Sequence, residues 1–340
     1  EPLAAIPVAS ATEALQGKMA GVQITTTEGS PDAQMSIRVR GGGSITQSNE
    51  PLFIVDGFPV ESISDIPPTD IESIDVLKDA SSTAIYGARG ANGVIIVTTK
   101  SGKEGKVSVS YNAYYAWKKV AKTLDVLSAS DYTKWQYELA QLTNKNDDYI
   151  KYFGNYQDLD MYDNVATNDW QDLTFGRTGH SFNHNLSING GSDKFKYSFS
   201  YSHIDDKAIM QMSDYARDNL NLKLNHKPLK NVSLDFSARF SKTKINGGGS
   251  NDANSSLNTD KRLKYSLLYT PYPVPGISDA LNADEEDANS LLINPLISLR
   301  DNDTRKERIN YNLAGSITWE IIKDLKLKAE VLSLIHISEP

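Results

Sequence analysis

From residue 105 onward, apolar and polar residues alternate with a period of two in seven separate stretches. In the first, Val107, Val109, Tyr111 and Tyr115 fall on one face and Ser108, Ser110 and Asn112 on the other. The third sets Phe195, Tyr197, Phe199 and Tyr201 against Lys196, Ser198, Ser200 and Ser202. The pattern recurs around 182–189, 220–225, 232–241, 309–319 and 325–331. Such alternation predicts β-strands with one apolar face. Each stretch holds roughly 9 to 11 residues, the length a tilted strand needs to cross a bilayer.

The connections sort into two kinds. Short ones lie at 190–193, 228–231 and near 323–324, and long ones at 117–179, 205–215 and 242–305. Short and long connections in strict alternation are the mark of a transmembrane barrel, with turns on one rim and loops on the other. A soluble β-sandwich has no reason to order its loop lengths in this way. The pattern predicts apolar faces toward lipid and Ser/Asn/Lys faces toward the lumen, so that Leu222→Lys is damaging and Ser200→Lys tolerated. Seven strands leave an open edge and do not close a barrel.

The first hundred residues read differently. Residues 52–55 are a short apolar run closed by Asp56-Gly57, and 94–99, Val-Ile-Ile-Val-Thr-Thr, is the most strand-like run in the chain. Between them, Pro67-Pro68 exclude helix until Asp70, which is placed to cap a helical turn through Ile71, Ile74 and Leu77. A second short helix is expected over 82–86, stopped at Gly87. Ile74, Leu77 and Ile85 are expected to share a core with the two strands, in a unit that folds without the barrel. Nearer the start, Ser10-Ala11-Thr12-Glu13 has capping-box spacing, with strands expected at 22–26 and 36–40. Gly41-Gly42-Gly43 lacks the phosphate-cradle pattern and reads as a tight loop.

Three stretches, PLFIVDG, DIESIDVLKDASSTAIYG and GANGVIIVTTK, resemble the plug domain of TonB-dependent outer-membrane receptors of the SusC/RagA family. The resemblance implies an α+β plug over 1–105, followed over 106–331 by part of an antiparallel transmembrane β-barrel. About seven strands of roughly 22 would be present. The motif residues it marks in the plug are Asp56, Gly57, Lys78, Asp79, Tyr86, Gly87, Asn92 and Gly93, all structural. It also implies import of oligosaccharides or peptides across the outer membrane of Bacteroidota. A SusD-like surface lipoprotein would be the lid, and TonB-ExbB-ExbD the energy source. The TonB-contacting segment that the family carries before its plug is not visible, so this stretch alone is not expected to transport. The start reads as internal to a longer precursor. Residues 332–340 resemble the translation of a transposase end sequence used in sequencing libraries, and are expected to be a non-native tail; a genuine strand with a polar end is the alternative.

Composition narrows the remaining classes. With 340 residues, 39% hydrophobic and 23% charged, the chain has room for two domains. The net charge of -8 argues against a nucleic-acid partner. No run approaches the roughly 18 apolar residues of a transmembrane helix. The absence of cysteine excludes disulfides, thiol catalysis and Cys-ligated zinc. The five histidines show no metal-binding spacing, and Asp284-Glu285-Glu286-Asp287 reads as a solvated charge run. No cofactor and no catalytic constellation is implied. Arg38, Arg40, Asp56, Asp75, Lys78, Asp79 and Arg89 read as bridges from the plug to a polar lumen. In the first long loop, Ser128 to Asp131 followed by Tyr132, Trp135, Leu139 and Leu142 predicts a capped amphipathic helix packed within its own loop. A passive porin or adhesin, and a soluble carbohydrate-binding sandwich, stand as alternatives to the importer.

Overall fold

A computed structural model describes residues 10–19, 21–26, 35–39, 49–247, 262–275, 277–278, 293–301 and 305–339. Arg40, the Gly41-Gly42-Gly43 loop and the 284–287 acidic run lie outside the described residues.

The N-terminal unit is built on β-strands. Helix α1 (Ala11–Leu15) starts where Ser10 Oγ accepts the Glu13 N–H at 3.2 Å, and it buries Ala11, Ala14 and Leu15. Strands β1 (Gln23–Thr26) and β2 (Met35–Arg38) pair antiparallel. Strands β3 (Leu52–Val55), β4 (Phe58–Val60), β5 (Ile71–Leu77) and β6 (Val94–Thr99) form a second sheet in the order β4-β3-β6-β5, with β3 and β6 parallel. Phe53, Val55, Ile95 and Val97 from the middle of this sheet meet Leu15, Ile24, Ile37, Ile63 and Ile66 in one continuous core. Every residue of that core comes from the plug itself.

The helix expected through Ile71, Ile74 and Leu77 is instead β5. A bulge between Ile71 and Ser73 explains the misreading. One extra residue brings Ile71 and Ile74, three apart, to the same face, which imitates helical spacing. Beyond the bulge the period is two: Ile74 and Val76 pack on the core, and Leu77 does not. The second expected helix is a short α2 (Ala80–Thr83) running into a 3-10 segment (Ala84–Gly90) that kinks at Gly87. Ile85, in that segment, is 80% exposed rather than part of the core, against expectation.

The described strands beyond residue 104 form one seven-stranded antiparallel meander. Its strands are β7 (Gly105–Lys118), β8 (Gly179–Gly191), β9 (Phe195–Lys207), β10 (Asp214–Leu229), β11 (Val232–Asn246), β12 (Arg305–Ile322) and β13 (Leu325–Glu339). All seven expected strands are present, at 13 to 18 residues each. They exceed the bilayer-spanning length because pairing continues past the apolar stretch at the long-loop ends, where Asp205, Asp214 and Lys244 carry the ladder on. Residues 332–339 continue β13 in register with β12. Connections of two or three residues alternate with longer ones, the middle one of these being only 208–213.

The two faces of the sheet are reversed relative to a soluble protein. Ser181, Asn185, Ser198, Ser200, Ser202, Asn219 and Ser241 are buried, while Val109, Tyr111, Phe182, Tyr201, Leu220, Phe236 and Ile317 are exposed. The polar face covers the plug. Among the described residues, large side chains on the apolar face stay exposed.

Above the long-loop rim sits a small helical layer: α3 (Ala129–Thr143), α4 (Asn146–Phe153), α5 (Trp170–Phe175), α6 (Arg262–Leu268) and α7 (Pro295–Asp301). Ser128 caps α3, as its sequence predicts, with Oγ accepting the Asp131 N–H at 3.1 Å. The buried side of α3 carries Tyr132 and Thr133, which meet Tyr149, Phe153, Tyr272 and Val274. Trp135, Leu139 and Leu142 are exposed instead. Two long loops are thereby locked together, with Trp170 Nε1 donating to the Thr270 carbonyl at 2.8 Å.

In the closed barrel that the pattern implies, Leu222→Lys on the apolar face is expected to cost roughly 2 to 4 kcal/mol. Ser233→Lys, on the polar face with no hydrogen bond to the plug, is expected to cost less than 1 kcal/mol by the same comparison of faces. Urea titrations of folding into lipid vesicles measure both; equal losses would mean the faces are assigned wrongly.

Candidate functional site: the seam between plug and barrel wall

The inner face of β10 presents Arg217, Asn219, Asn221 and Lys223, successive same-face residues about 6.8 Å apart. Each reaches toward a different point on the plug. Arg217 Nη1 donates to the Ser64 carbonyl at 2.6 Å. Asn219, with its amide turned to satisfy its neighbours, donates to the Asp65 carbonyl at 3.1 Å and to Ser241 Oγ at 2.8 Å. Asn221 flanks the Asp70 carboxyl group. Lys223 Nζ bonds to Asp56 Oδ1 at 2.8 Å and to the Thr99 carbonyl at 2.9 Å.

Asp56 is the centre of this arrangement. It follows β3 in a left-handed conformation, φ 53°, and Gly57 continues the turn at φ 92°. The turn aims the carboxylate across at the end of β6, where Oδ1 accepts the Thr99 N–H at 2.9 Å and Oδ2 the Thr99 hydroxyl at 2.8 Å. One carboxylate thus fastens two parallel strands and then binds the wall. Both side chains of the Asp56–Lys223 pair are 16% exposed, so water screens them little.

Asp70 makes the second junction. Its carboxyl is almost wholly buried, and Ser200 on β9 donates to Oδ2 at 2.7 Å. It does not cap a helix, because the chain enters β5 directly after it. Burial raises its pKa above the usual carboxylate value, while hydrogen bonding from Ser200 and the positive charge of Lys100 oppose the rise. Ser200→Lys is therefore not tolerated as the strand pattern alone suggests: Ser200 is buried against the plug, with no room for a longer chain. Close by, the plug leaves through Gly102, where a Cβ would run into the backbone of Tyr197 on β9.

Other motif residues make contacts within the plug. The Lys78 ammonium lies over Gly21. The Asp79 carbonyl accepts the Ser82 and Thr83 hydroxyls at 2.9 and 3.2 Å, opening α2. Tyr86 is half-buried beside Gly90, and Asn92 Nδ2 donates to the Glu50 carbonyl at 3.5 Å. Gly87 has φ 60°, and Gly93, at φ 98°, leaves no space for a Cβ, which would lie 2.9 Å from Val39. Of the seven charged residues expected to bridge to the lumen, Asp56 does so. Asp75 is bonded within β5 to Ser73 at 3.5 Å. Asp70, Arg217 and Lys223 were missed as seam residues. Lys223 belongs to a polar strand face that reads alike whether it meets water or protein.

Side chains thus join the N-terminal unit to the polar inner face of an inside-out sheet. Residues 1–94 match the TonB-dependent Receptor Plug Domain. The chain is 39% identical over 218 residues to the TonB-dependent receptor SusC of Bacteroides thetaiotaomicron, covering 61% of this chain and 20% of the relative. It is 36% identical over 304 residues to TonB-dependent receptor P26 of Formosa agariphila, covering 84% and 30%. The RagAB peptide importer in its open-open state superposes with a TM-score of 0.75 at 25% identity, covering 99% of this chain and 40% of that one. The chain belongs to the SusC/RagA family of TonB-dependent receptors. It spans between 20% and 30% of the length of these two curated relatives.

Two predictions follow from the seam's chemistry. In the full-length receptor, Lys223→Met strands a buried carboxylate and is expected to cost about 3 kcal/mol, the low end for breaking such a pair. Asp56→Asn on that background recovers part of the loss in a urea titration; no recovery would mean that the pair is not the source. Asp70 gives the pH dependence. Its folded pKa is raised, so the folded state holds the proton more tightly than the unfolded state, whose value lies near 3.8. As pH rises from 3.8 through the folded value, the wild type loses stability relative to Asp70→Asn. Parallel curves for the two proteins would show that Asp70 does not titrate in the seam.

Proposed function

We propose that this chain supplies the plug and first barrel strands of a TonB-dependent importer of the outer membrane, carrying oligosaccharides or peptides into the periplasm. The observation that carries the reading is the seam: the polar face of the sheet is occupied by a folded plug joined to it through Asp56, Asp70 and the row on β10. A pore filled in this way passes nothing large unless the plug moves. The outer membrane holds no ATP, so the work comes through a protein reaching from the inner membrane, the role of TonB-ExbB-ExbD. A SusD-like lipoprotein would close the outside as the lid, over the helical layer that α3 to α7 build at the long-loop rim. In this reading the chain is one part of a transporter, and the proposed role involves no covalent chemistry.

The test is uptake by the full-length gene in its own host. Deleting the gene is expected to abolish growth on one class of oligosaccharide or peptide, and complementation restores it only when TonB is present. Uptake that persists without TonB would replace this reading with a passive porin.

A further inference from the structure

The short-turn rim of the sheet carries lysine at every turn. Lys194 lies between β8 and β9, Lys227 and Lys230 around the β10–β11 turn, and Lys323 and Lys326 around the β12–β13 turn. All five are exposed, and none pairs with a carboxylate among the described residues. The opposite rim has the other sign: residues 119–178 hold ten Asp and Glu against six Lys and Arg. The lysines therefore mark one end of an otherwise acidic chain.

Beside two of those turns the apolar face is not flat. A groove of about 290 Å³ is lined by Phe195, Leu224, His226, Leu234, Asp235 and Phe236. Its walls, Phe195 and Phe236, are each about two-fifths exposed. Asp235 turns its carboxylate to the other face, where Asn225 and Ser316 bond to it, so the groove itself is apolar. At its foot the two turns are tied together: the Lys227 N–H donates to the Lys194 carbonyl at 2.7 Å, and His226 Nδ1 lies 3.1 Å from the same oxygen. Lys194 and Lys227 are thus held side by side, with Lys230 in the next turn.

We propose that this groove and these three lysines form a site for an anionic phospholipid of the leaflet on the short-turn side. One acyl chain lies between Phe195 and Phe236, and the phosphate rests against Lys194, Lys227 and Lys230. The inference rests on the barrel reading above, which puts this face in hydrocarbon and this rim among headgroups. Apolar lining alone would select nothing, since surrounding lipid is equally apolar. Selection comes from the charge at the foot, where three ammonium groups outweigh Asp193 in the same turn and favour a headgroup with net negative charge. The Lys323 and Lys326 turn has the charge without those groove walls, and serves as an internal control.

The experiment uses the full-length receptor in detergent micelles, melted with phosphatidylglycerol, with phosphatidylcholine of identical chains, or with glycerol phosphate. Phosphatidylglycerol is expected to raise the melting temperature by several degrees, and the other two to leave it unchanged. Lys194→Gln/Lys227→Gln/Lys230→Gln loses that shift, and Lys323→Gln/Lys326→Gln keeps it. An equal shift with phosphatidylcholine, a shift with glycerol phosphate, or a shift surviving in the triple variant overturns the site. Heat-modifiable migration in gels is read on every sample. A closed barrel without the lipid effect overturns the lipid site alone, and no closed barrel overturns the importer reading with it.

Discussion

A sheet face lined with serine, asparagine and lysine would ordinarily face water; here it faces folded protein, and the rest of the structure depends on how that protein is fastened. The fastening is polar and narrow. Four inward residues of β10, with Ser200 on β9, reach plug points spread from Asp56 to Thr99. Hydrogen bonds of this kind are individually modest because water competes for the same groups, yet each is costly to break while buried. Such a seam holds firmly at rest, and water could take over its bonds in the plug displacement that the proposed import requires. An apolar joint of similar extent would expose hydrocarbon-like surface to water in the same displacement.

The plug can bear this because its own core is independent of the wall. Phe53, Val55, Ile95 and Val97 pack on Leu15, Ile24, Ile37, Ile63 and Ile66, all from the same unit. The barrel strands have the opposite economy of contacts. Apart from Ile204, Tyr215 and Ile245, which are buried together, most of their large apolar side chains stay exposed, so their stability comes mainly from the ladder and from lipid. The longer connections rise beyond the lipid, and there ordinary packing returns, with Tyr132, Phe153 and Tyr272 clustered between two loops distant in sequence.

Most of this architecture was legible in the sequence, because alternation needs only local reading. The seven long strands, β3, β6, the capped starts of α1 and α3, and the sorting of short from long connections all follow from neighbours within a few positions. Three features escaped. The bulge in β5 brought Ile71 and Ile74 to one face at a spacing that belongs to helices. The short helix breaks at Gly87, and Ile85 within it faces outward. The seam itself joins residues as far apart as Asp56 and Lys223, 167 positions, and no local pattern distinguishes a lysine facing water from one facing a carboxylate. Family resemblance marked Asp56 and Gly57, but their partner lay in a strand that the motif does not include.

The central claim is that the plug is a self-sufficient fold held by a polar seam, and hydrogen exchange on the full-length receptor tests it most directly, comparing wild type with Lys223→Met. The account predicts that amides of β3 and the first half of β6 keep their protection in the variant, while those around Thr99 and residues 100–102 exchange faster. Loss of protection throughout β3 and β6 together would contradict it, since the plug would then owe its fold to the wall.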